Sequence, residues 1–475
     1  MGDGPSVLKT FTFDDQRRFA AISGDRNPMH MDPIAARRTQ AGAPVVHGIQ
    51  LLLWALDVFT GQGTSRPMRK IRVRFNKFVY VGETARLEFE PKANGEKLTI
   101  AVGDTAVSEI AVDFGEAKRA VISKEVLALT ALPDAPLDIE FERIAEMSGR
   151  LPFATPPAVV ANLFPRAAAW LGAERVAAVA ASANLVGMIC PGLHSIYSSL
   201  VVESTDDVNG EDVIEFRVTS TDPRFRLVQM SFAGAGITGN IDSFARVPPT
   251  AQASMASLSN VVARDEFAGS VALIVGGSRG IGELTAKLIA SGGGTPIITY
   301  AVGKSDAQKV ADEIKAAGGA CDVMACDVRQ PALPRLTALK EAPTHLYYFA
   351  TPAIFGRQSD AFSRPRLNDF LDVYVDGFWR LVQTLRERRR DLSVFYPSSV
   401  AVDERPRGMM EYAMAKVAGE ILCADMNVTL APLRITISRL PRMKTDQTAT
   451  FMPDESDSAL EVMLPLIRQV QRGTN

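Results

Sequence analysis

The stretch Phe19-Ala-Ala-Ile-Ser-Gly-Asp25-Arg-Asn-Pro-Met-His30-Met-Asp32, followed by Val45-Val46-His47-Gly48, decides how the start of the chain is read. Asp25 and His30 are five residues apart, with Asn27-Pro28 between them. Proline removes a helical donor and turns the preceding residue out of the α region, so the segment bends. A bend can aim a carboxylate and an imidazole at one small volume, where together they would hold a water and move its proton. Gly48 then opens Ile49-Gln50-Leu51-Leu52-Leu53-Trp54-Ala55-Leu56-Asp57-Val58-Phe59, a run apolar on nearly every side. That pattern predicts a helix buried all round. Its first amides lack partners within the helix, and Gly48 lets a ligand approach the backbone.

Ser23-Gly-Asp25-Arg-Asn-Pro-Met-His30-Met-Asp32 with Val46-His-Gly48 resembles the signature of the MaoC-like (R)-specific enoyl-CoA hydratases of the hot-dog fold. The resemblance covers about the first quarter of the chain. It implies that Asp25 and His30 activate a water, and that the Gly48 amide polarises a thioester carbonyl. The plainer reading is a turn-capping Asp25 and a packed core His30.

Outward from the helix, Lys70–Phe78 alternates charged and apolar residues, as a half-buried strand does. Ala85–Glu90 alternates again, Asn94-Gly95 predicts a hairpin into Lys97–Val102, and Thr105–Phe114 reads as another strand. One buried helix followed by antiparallel strands suits a sheet wrapped on a helix over residues 1–128. Residues 129–250 partly repeat the pattern. Ala161–Leu171 reads as helical and Val176–Met188 as a second central helix. Four strands follow, at Ser195–Val202, Asp212–Thr219, Phe225–Phe232 and Ile241–Val247, with Tyr197, Phe216 and Phe225 as core candidates. This second, degenerate hot-dog half lacks the Asp-x4-His turn. Its His194 is expected to be structural, and the half is expected to wall the acyl pocket and cover the first sheet's edge.

Pro248-Pro249 and the small polar residues after them predict a linker over 251–265. Ser270–Val275 is a short apolar strand, and Gly276-Gly-Ser278-Arg279-Gly280-Ile281-Gly282 leads from it into a helix. A glycine-rich turn at that junction brings backbone amides to a pyrophosphate. The next strand, Pro296–Tyr300, ends without an acidic residue for a ribose, while Arg279, Lys304 and Ser305 stand nearby. This favours NADP(H) over NAD(H), although Arg279 also suits a solvated surface charge. Further strands are expected at Val323–Ala325, Thr344–Phe349 and Leu392–Tyr396, with Asp327 and Val328 at the adenine. Ser399 follows the last of these, and Tyr412 and Lys416 come next, four apart on one helix face. An ammonium there is expected to lower the Tyr412 pKa, leaving Tyr412 and Ser399 to protonate a carbonyl oxygen.

That order resembles the short-chain dehydrogenase/reductases over residues 266–475. The resemblance implies a doubly wound parallel Rossmann sheet, catalytic Ser399, Tyr412 and Lys416, and a 3-ketoacyl substrate. It also implies a cofactor site at Gly276, Ser278, Arg279, Gly280, Ile281, Gly282, Asp327, Val328, Tyr412, Lys416 and Thr445. The chain departs from the family pattern at Val275, at Ala350-Thr-Pro352, at Arg442 and at Tyr374, where an Asn is usual. The family's last strand is also missing before Asn475, which puts the usual tetramer in doubt.

The whole reads as a double hot-dog followed by a Rossmann domain, acting on an acyl-CoA or acyl-carrier-protein thioester. Two consecutive steps are expected, NADPH-dependent 3-ketoacyl reduction and (R)-3-hydroxyacyl dehydration, or its reverse. The alternative is a hydratase carrying a nucleotide-sensing or scaffolding reductase-like domain. At 475 residues the chain exceeds one core, and its formal net charge of −2 points to neither nucleic acid nor an anionic membrane surface. Cys190, Cys321, Cys326 and Cys423 are scattered without CxxC pairs, so no metal site is expected and a reducing cytoplasm fits. No apolar run reaches membrane-spanning length. Two hot-dog halves in one chain replace the dimer of single-domain hot-dogs, leaving a homodimer of the whole chain open.

Overall fold

The computed structural model describes residues 6–64, 66–119, 127–206, 211–330, 336, 339–352, 354, 362–443, 445 and 457–473. Lys444 and Asp446, on either side of Thr445, lie outside them. Two compact units divide at Pro248/Pro249.

Among the described residues the first unit holds ten strands: β1 (Val7–Thr10), β2 (Met68–Phe75), β3 (Thr84–Lys92), β4 (Gly95–Val102), β5 (Thr105–Phe114), β6 (Ser148–Pro152), β7 (Ser195–Ser204), β8 (Val213–Asp222), β9 (Leu227–Gly234) and β10 (Ile237–Ala245). They form one sheet in the order β1-β3-β4-β5-β2-β7-β10-β9-β8-β6. Five strands belong to each half. The seam is the antiparallel pair β2–β7, with Ile71 opposite Val202 and Val73 opposite Leu200. Pairing at the seam covers the edge each half would otherwise leave open.

Each half wraps its own helix. Gly48–Thr60 is buried at every position from Ile49 to Leu56, Trp54 included. Ala173–Asn184 is its counterpart, running into a π-helical turn at Leu185–Ile189 whose five residues are all buried. Both helices share one apolar core. The structure departs from the sequence reading at two places. The expected helix Ala161–Leu171 is two short ones, Pro157–Leu163 and Pro165–Leu171, because Pro165 starts a helix well but cannot continue one. Phe225, expected in the core, is 45% exposed, since β9 begins two residues later and Phe225 lies in the turn before it.

Among the described residues the second unit has a six-stranded parallel sheet: β11 (Val271–Val275), β12 (Thr295–Tyr300), β13 (Asp322–Ala325), β14 (His345–Tyr348), β15 (Ser393–Ser399) and β16 (Arg434–Leu440). Its order is β13-β12-β11-β14-β15-β16. All five residues of β11 are buried, as expected for the central strand of a sheet covered on both faces. The order reverses between β11 and β14, and ligands of such sheets bind outside the carboxyl ends at that point. The stretch read as a linker packs Met255, Leu258 and Val262 into this unit's core. Its small polar residues hid these three apolar anchors spaced along it.

Candidate functional site

In the first unit, helix Phe13–Ser23 stops at Gly24, whose left-handed backbone (φ 81°) reverses the chain. The next helix, Pro28–Met31, starts almost at once, capped by Asn27, whose Oδ1 accepts from the Met29 amide at 3.0 Å. Asp25 and His30 sit on either side of this cap. The Asp25 carboxyl accepts from the Asn27 amide at 3.1 Å and is 3% exposed. Burial disfavours its charged form and raises its pKa to about 7. His30 donates from Nδ1 to the Val45 carbonyl at 2.8 Å, so its Nε2 carries the lone pair. Burial, and then the charge of Arg246, lower the His30 pKa to about 4, against the pull of that hydrogen bond.

A third group completes the cluster. The ring of His47 stacks on His30 with centroids 3.9 Å apart. Its Nδ1 lies 2.8 Å from Gln16 Oε1 and its Nε2 lies 3.1 Å from the Asp25 carbonyl. Asp25, His30 and His47 each place a polar atom within 4.8 Å of the other two. Stacked rings send their in-plane lone pairs side by side, and both His47 nitrogens already face oxygens. The trio therefore suits proton exchange better than an ion. Gly48 follows His47 directly and heads the buried helix, so its amide belongs to the turn that has no intrahelical acceptor. A Cβ on Gly48 would stand 3.1 Å from the Phe75 ring.

The second half reaches into this cluster. Asn27 Nδ2 donates to the carbonyls of Gly187 at 2.8 Å and Gly192 at 3.2 Å, both from the far side of the seam. His194 is not the isolated histidine the sequence suggested, since Asp138 Oδ1 lies 3.3 Å from its Nε2.

In the second unit the glycine turn joins β11 to helix Gly280–Ser291, with Gly276 at φ 80° and Gly280 at φ 57°. A Cβ on Gly282 would meet the Gly276 carbonyl oxygen at 2.3 Å, so the turn closes only without a side chain there. Ser278 is buried, Ile281 half-buried, and Arg279 is the residue that precedes the helix. Thr445 comes within 3.9 Å of the Cβ direction of Gly280. Asp327 and Val328 follow β13, and the Asp327 carboxyl accepts from the Arg329 amide at 3.0 Å. Lys304 and Ser305 open helix Lys304–Ala316 just past β12.

Ser399 ends β15 and hydrogen-bonds the Tyr412 hydroxyl. Tyr412 and Lys416 share helix Met410–Thr429. Lys416 Nζ donates to the Pro397 carbonyl at 2.7 Å and lies 3.9 Å over the Tyr374 ring and 5.7 Å from the Tyr412 ring. The expected fall of the Tyr412 pKa is not what this site does. Burial raises it against the Ser399 hydrogen bond, and burial lowers that of Lys416 to about 7, outweighing the opposite pull of Cys423 and Glu420. Tyr374 stands where the family resemblance expects Asn. Its hydroxyl is 2.6 Å from Thr351 Oγ1, and its carbonyl accepts from Tyr396 at 3.0 Å.

A MaoC like domain model matches residues 5–112, and a short chain dehydrogenase model matches residues 270–457. The (R)-specific enoyl-CoA hydratase of Aeromonas caviae is 32% identical over 110 residues, 22% of this chain and 81% of that one. The chain belongs to the MaoC-like family and carries a short-chain dehydrogenase domain after it. Peroxisomal multifunctional enzyme type 2 of Mus musculus is 32% identical over 116 residues, which cover 23% of this chain and 16% of that protein. Among solved structures, the oxidoreductase yciK of E. coli aligns over 44% of this chain and 91% of its own, at 18% identity and a TM-score of 0.39.

Within the MaoC-like domain, sequence reasoning passed over His47, Gln16 and Asn27. His47 stood in the quoted motif beside Gly48, and a histidine heading a buried helix was a signal within reach. Gln16 was not, because only folding brings a side chain 31 residues away to within 2.8 Å. In the short-chain dehydrogenase domain, Thr351 was noted only as a departure, and its bond to Tyr374 emerged from the fold. Among the described residues no helix is long and apolar enough to cross a membrane.

Proposed function

We propose that this chain is a two-activity enzyme on acyl thioesters. The short-chain dehydrogenase domain reduces a 3-ketoacyl group with NADPH. The MaoC-like domain then removes water from the (R)-3-hydroxyacyl product to give the trans-2-enoyl thioester, or adds water in reverse. One observation carries the hydratase half. Beside the head of a buried helix lie a carboxyl whose proton affinity is raised and an imidazole whose proton affinity is lowered.

The two groups hold one proton between them across the range from about 4 to about 7, and their titration belongs to the pair. With Asp25 protonated and His30 neutral, His30 Nε2 takes a proton from water as its oxygen bonds Cβ. Asp25 delivers its proton to Cα, so one water is consumed and no net charge forms. Dehydration runs the same transfers backward. The Gly48 amide bonds the thioester oxygen as it gains negative charge, and the helix dipole favours that charge. His47 holds the Asp25 segment through its carbonyl and buttresses the His30 ring.

For the reductase half, the glycine turn at the β11/β14 reversal fits a pyrophosphate, since Gly282 lets it close and helix amides face outward from it. NADPH supplies the hydride when bound. Tyr412, with Ser399 as its hydrogen-bond partner, protonates the carbonyl oxygen, and the Lys416 ammonium favours the resulting phenolate. The acyl carrier, CoA or a carrier protein, and the preference for NADPH over NADH belong to this proposal.

Incubation with NADPH and a panel of 3-ketoacyl thioesters, followed by mass spectrometry, tests the scheme. Loss of 16 mass units (two hydrogens gained, then one water lost) is the net change expected, computed from the reaction as about −16. Crotonyl-thioester hydration should follow a bell in pH. Sign by sign, activity falls below about 4 as His30 gains a proton, and above about 7 as Asp25 loses its own. A rate that climbs steadily through pH 8 would reverse the assigned roles.

A further inference from the structure

We propose that Gly187 is a positioning residue for Asp25, and that the π-turn of the second half is the clamp that fixes where this carboxyl points. The proposal rests on the hydratase reading above. It adds to it that the half without the motif controls the half that has it.

The geometry is direct. A Cβ built on Gly187 would stand 2.3 Å from Asp25 Oδ1, 2.6 Å from Cγ and 2.6 Å from Oδ2. All three carboxyl atoms therefore lie against the bare backbone of one glycine. The backbone of Gly187 is not left-handed, so conformation does not demand glycine there; the carboxyl does. The turn is held in place from both sides of the seam. Asn27 donates to the Gly187 carbonyl at 2.8 Å, and the Arg26 amide meets Met188 Sδ at 3.3 Å. One helical turn earlier, Asn184 lies on Gly24, where a Cβ would meet its Nδ2 at 2.1 Å. Residues 184 and 187 thus press on two consecutive residues of the catalytic bend. A π-turn inserts one extra residue into the helix, and such insertions recur at functional sites because they re-aim the backbone that follows.

The clamp also accounts for the electrostatics. The titratable and charged groups around Asp25 are few. His47 Nε2 is 3.9 Å from Oδ2, His30 shares the cluster, and Arg246 acts on His30 through its charge. None is a cation at hydrogen-bond distance from the carboxyl. The glycine takes the place water would occupy, which is why burial dominates and the proton is held to about pH 7.

Gly187→Ala tests this. Ordinary contact begins near 3.5 Å, so the carboxyl must move by about 1 Å, a displacement worth on the order of 10²-fold in rate. The expected result is a kcat for crotonyl-CoA hydration about 10²-fold lower, a KM changed far less, and an upper pH limb moved down as the displaced carboxyl regains water. A wild-type kcat and an unmoved limb would overturn the proposal, whatever happens to Tm. Should Gly187→Ala fail to fold, Asn184→Ala loosens the clamp by subtraction, and about a tenfold fall in kcat with the same shift of the limb supports it. Wild-type kinetics in that variant would count against it. The Asp25 carboxyl band in infrared titration, identified by its loss in Asp25→Asn, gives a reading without turnover. If the wild type hydrates no enoyl thioester, the hydratase reading falls, and the titration of that band in Gly187→Ala still decides the contact.

Discussion

Asp25 and Lys416 are both buried ionisable groups, and burial has brought both to a pKa of about 7 from opposite sides. Their surroundings differ. Asp25 lies beside two imidazoles that accept or release protons, with a backbone amide already bonded to it. Lys416 lies against the ring of Tyr374 and the Pro397 carbonyl, which take part in no proton exchange. The same desolvation therefore serves one site and works against the other. At the first, in the proposed mechanism, it readies a proton for transfer to substrate. At the second it weakens the ammonium whose charge is meant to favour a Tyr412 phenolate.

The largest effect expected on this contrast comes from Asp25→Asn. The amide keeps the shape and the bond from the Asn27 amide but carries no transferable acid proton. Hydration of a crotonyl thioester should fall by roughly 10²–10⁴-fold, while NADPH oxidation is unchanged. The same variant should unfold less readily at pH 8, where the wild-type carboxyl is ionised and buried. The gain is at most about 4 kcal/mol, the equivalent of moving a pKa from 3.8 to about 7. Near-normal hydration in this variant would discard Asp25 as the acid.

Tyr412→Phe is the matching break in the other domain. Loss of the hydroxyl that bonds Ser399 should lower NADPH oxidation with a 3-ketoacyl thioester by about 10²-fold or more, with enoyl hydration untouched. Unchanged oxidation would mean another group protonates the carbonyl. Loss of both activities from either variant would show that the two sites do not work separately.

The two sites were also unequally legible. Asp25 and His30 sit within one motif, and the bend between them follows from Asn27-Pro28 alone, so their approach to one another could be read locally. Ser399, Tyr412 and Lys416 were legible through their order after the glycine turn. What could not be read was anything supplied across the fold. Gly187 is an ordinary glycine in an apolar run until β2 and β7 pair and carry its backbone to Asp25. Tyr374 reads as a family departure, yet its consequence depends on Lys416 lying 3.9 Å over its ring. The rise in the Tyr412 pKa was missed for the same reason. Spacing of four told that an ammonium was near, but not that burial would outweigh it.

Tyr374 offers the finest test, because two substitutions there separate ring from hydroxyl. At present the reductase should lose activity as pH rises through about 7, where Lys416 loses its charge. Tyr374→Phe removes only the bond to Thr351 and keeps the ring, so the limb should stay where it is. Tyr374→Asn removes the ring and lets water reach the ammonium. Two effects then oppose each other: loss of a cation–π contact, about 0.5–2 kcal/mol, and relief of desolvation. Burial is the first cause of the depressed Lys416 pKa, so hydration should win and the limb should move up by about one pH unit, roughly tenfold more activity at pH 8. The buried site makes this variant less stable by about 3–5 kcal/mol, so rates must be scaled to folded protein. A limb that moves equally in both variants would trace the effect to the Thr351 bond; one that moves down in Tyr374→Asn would show that the ring, not water, is what keeps Lys416 charged.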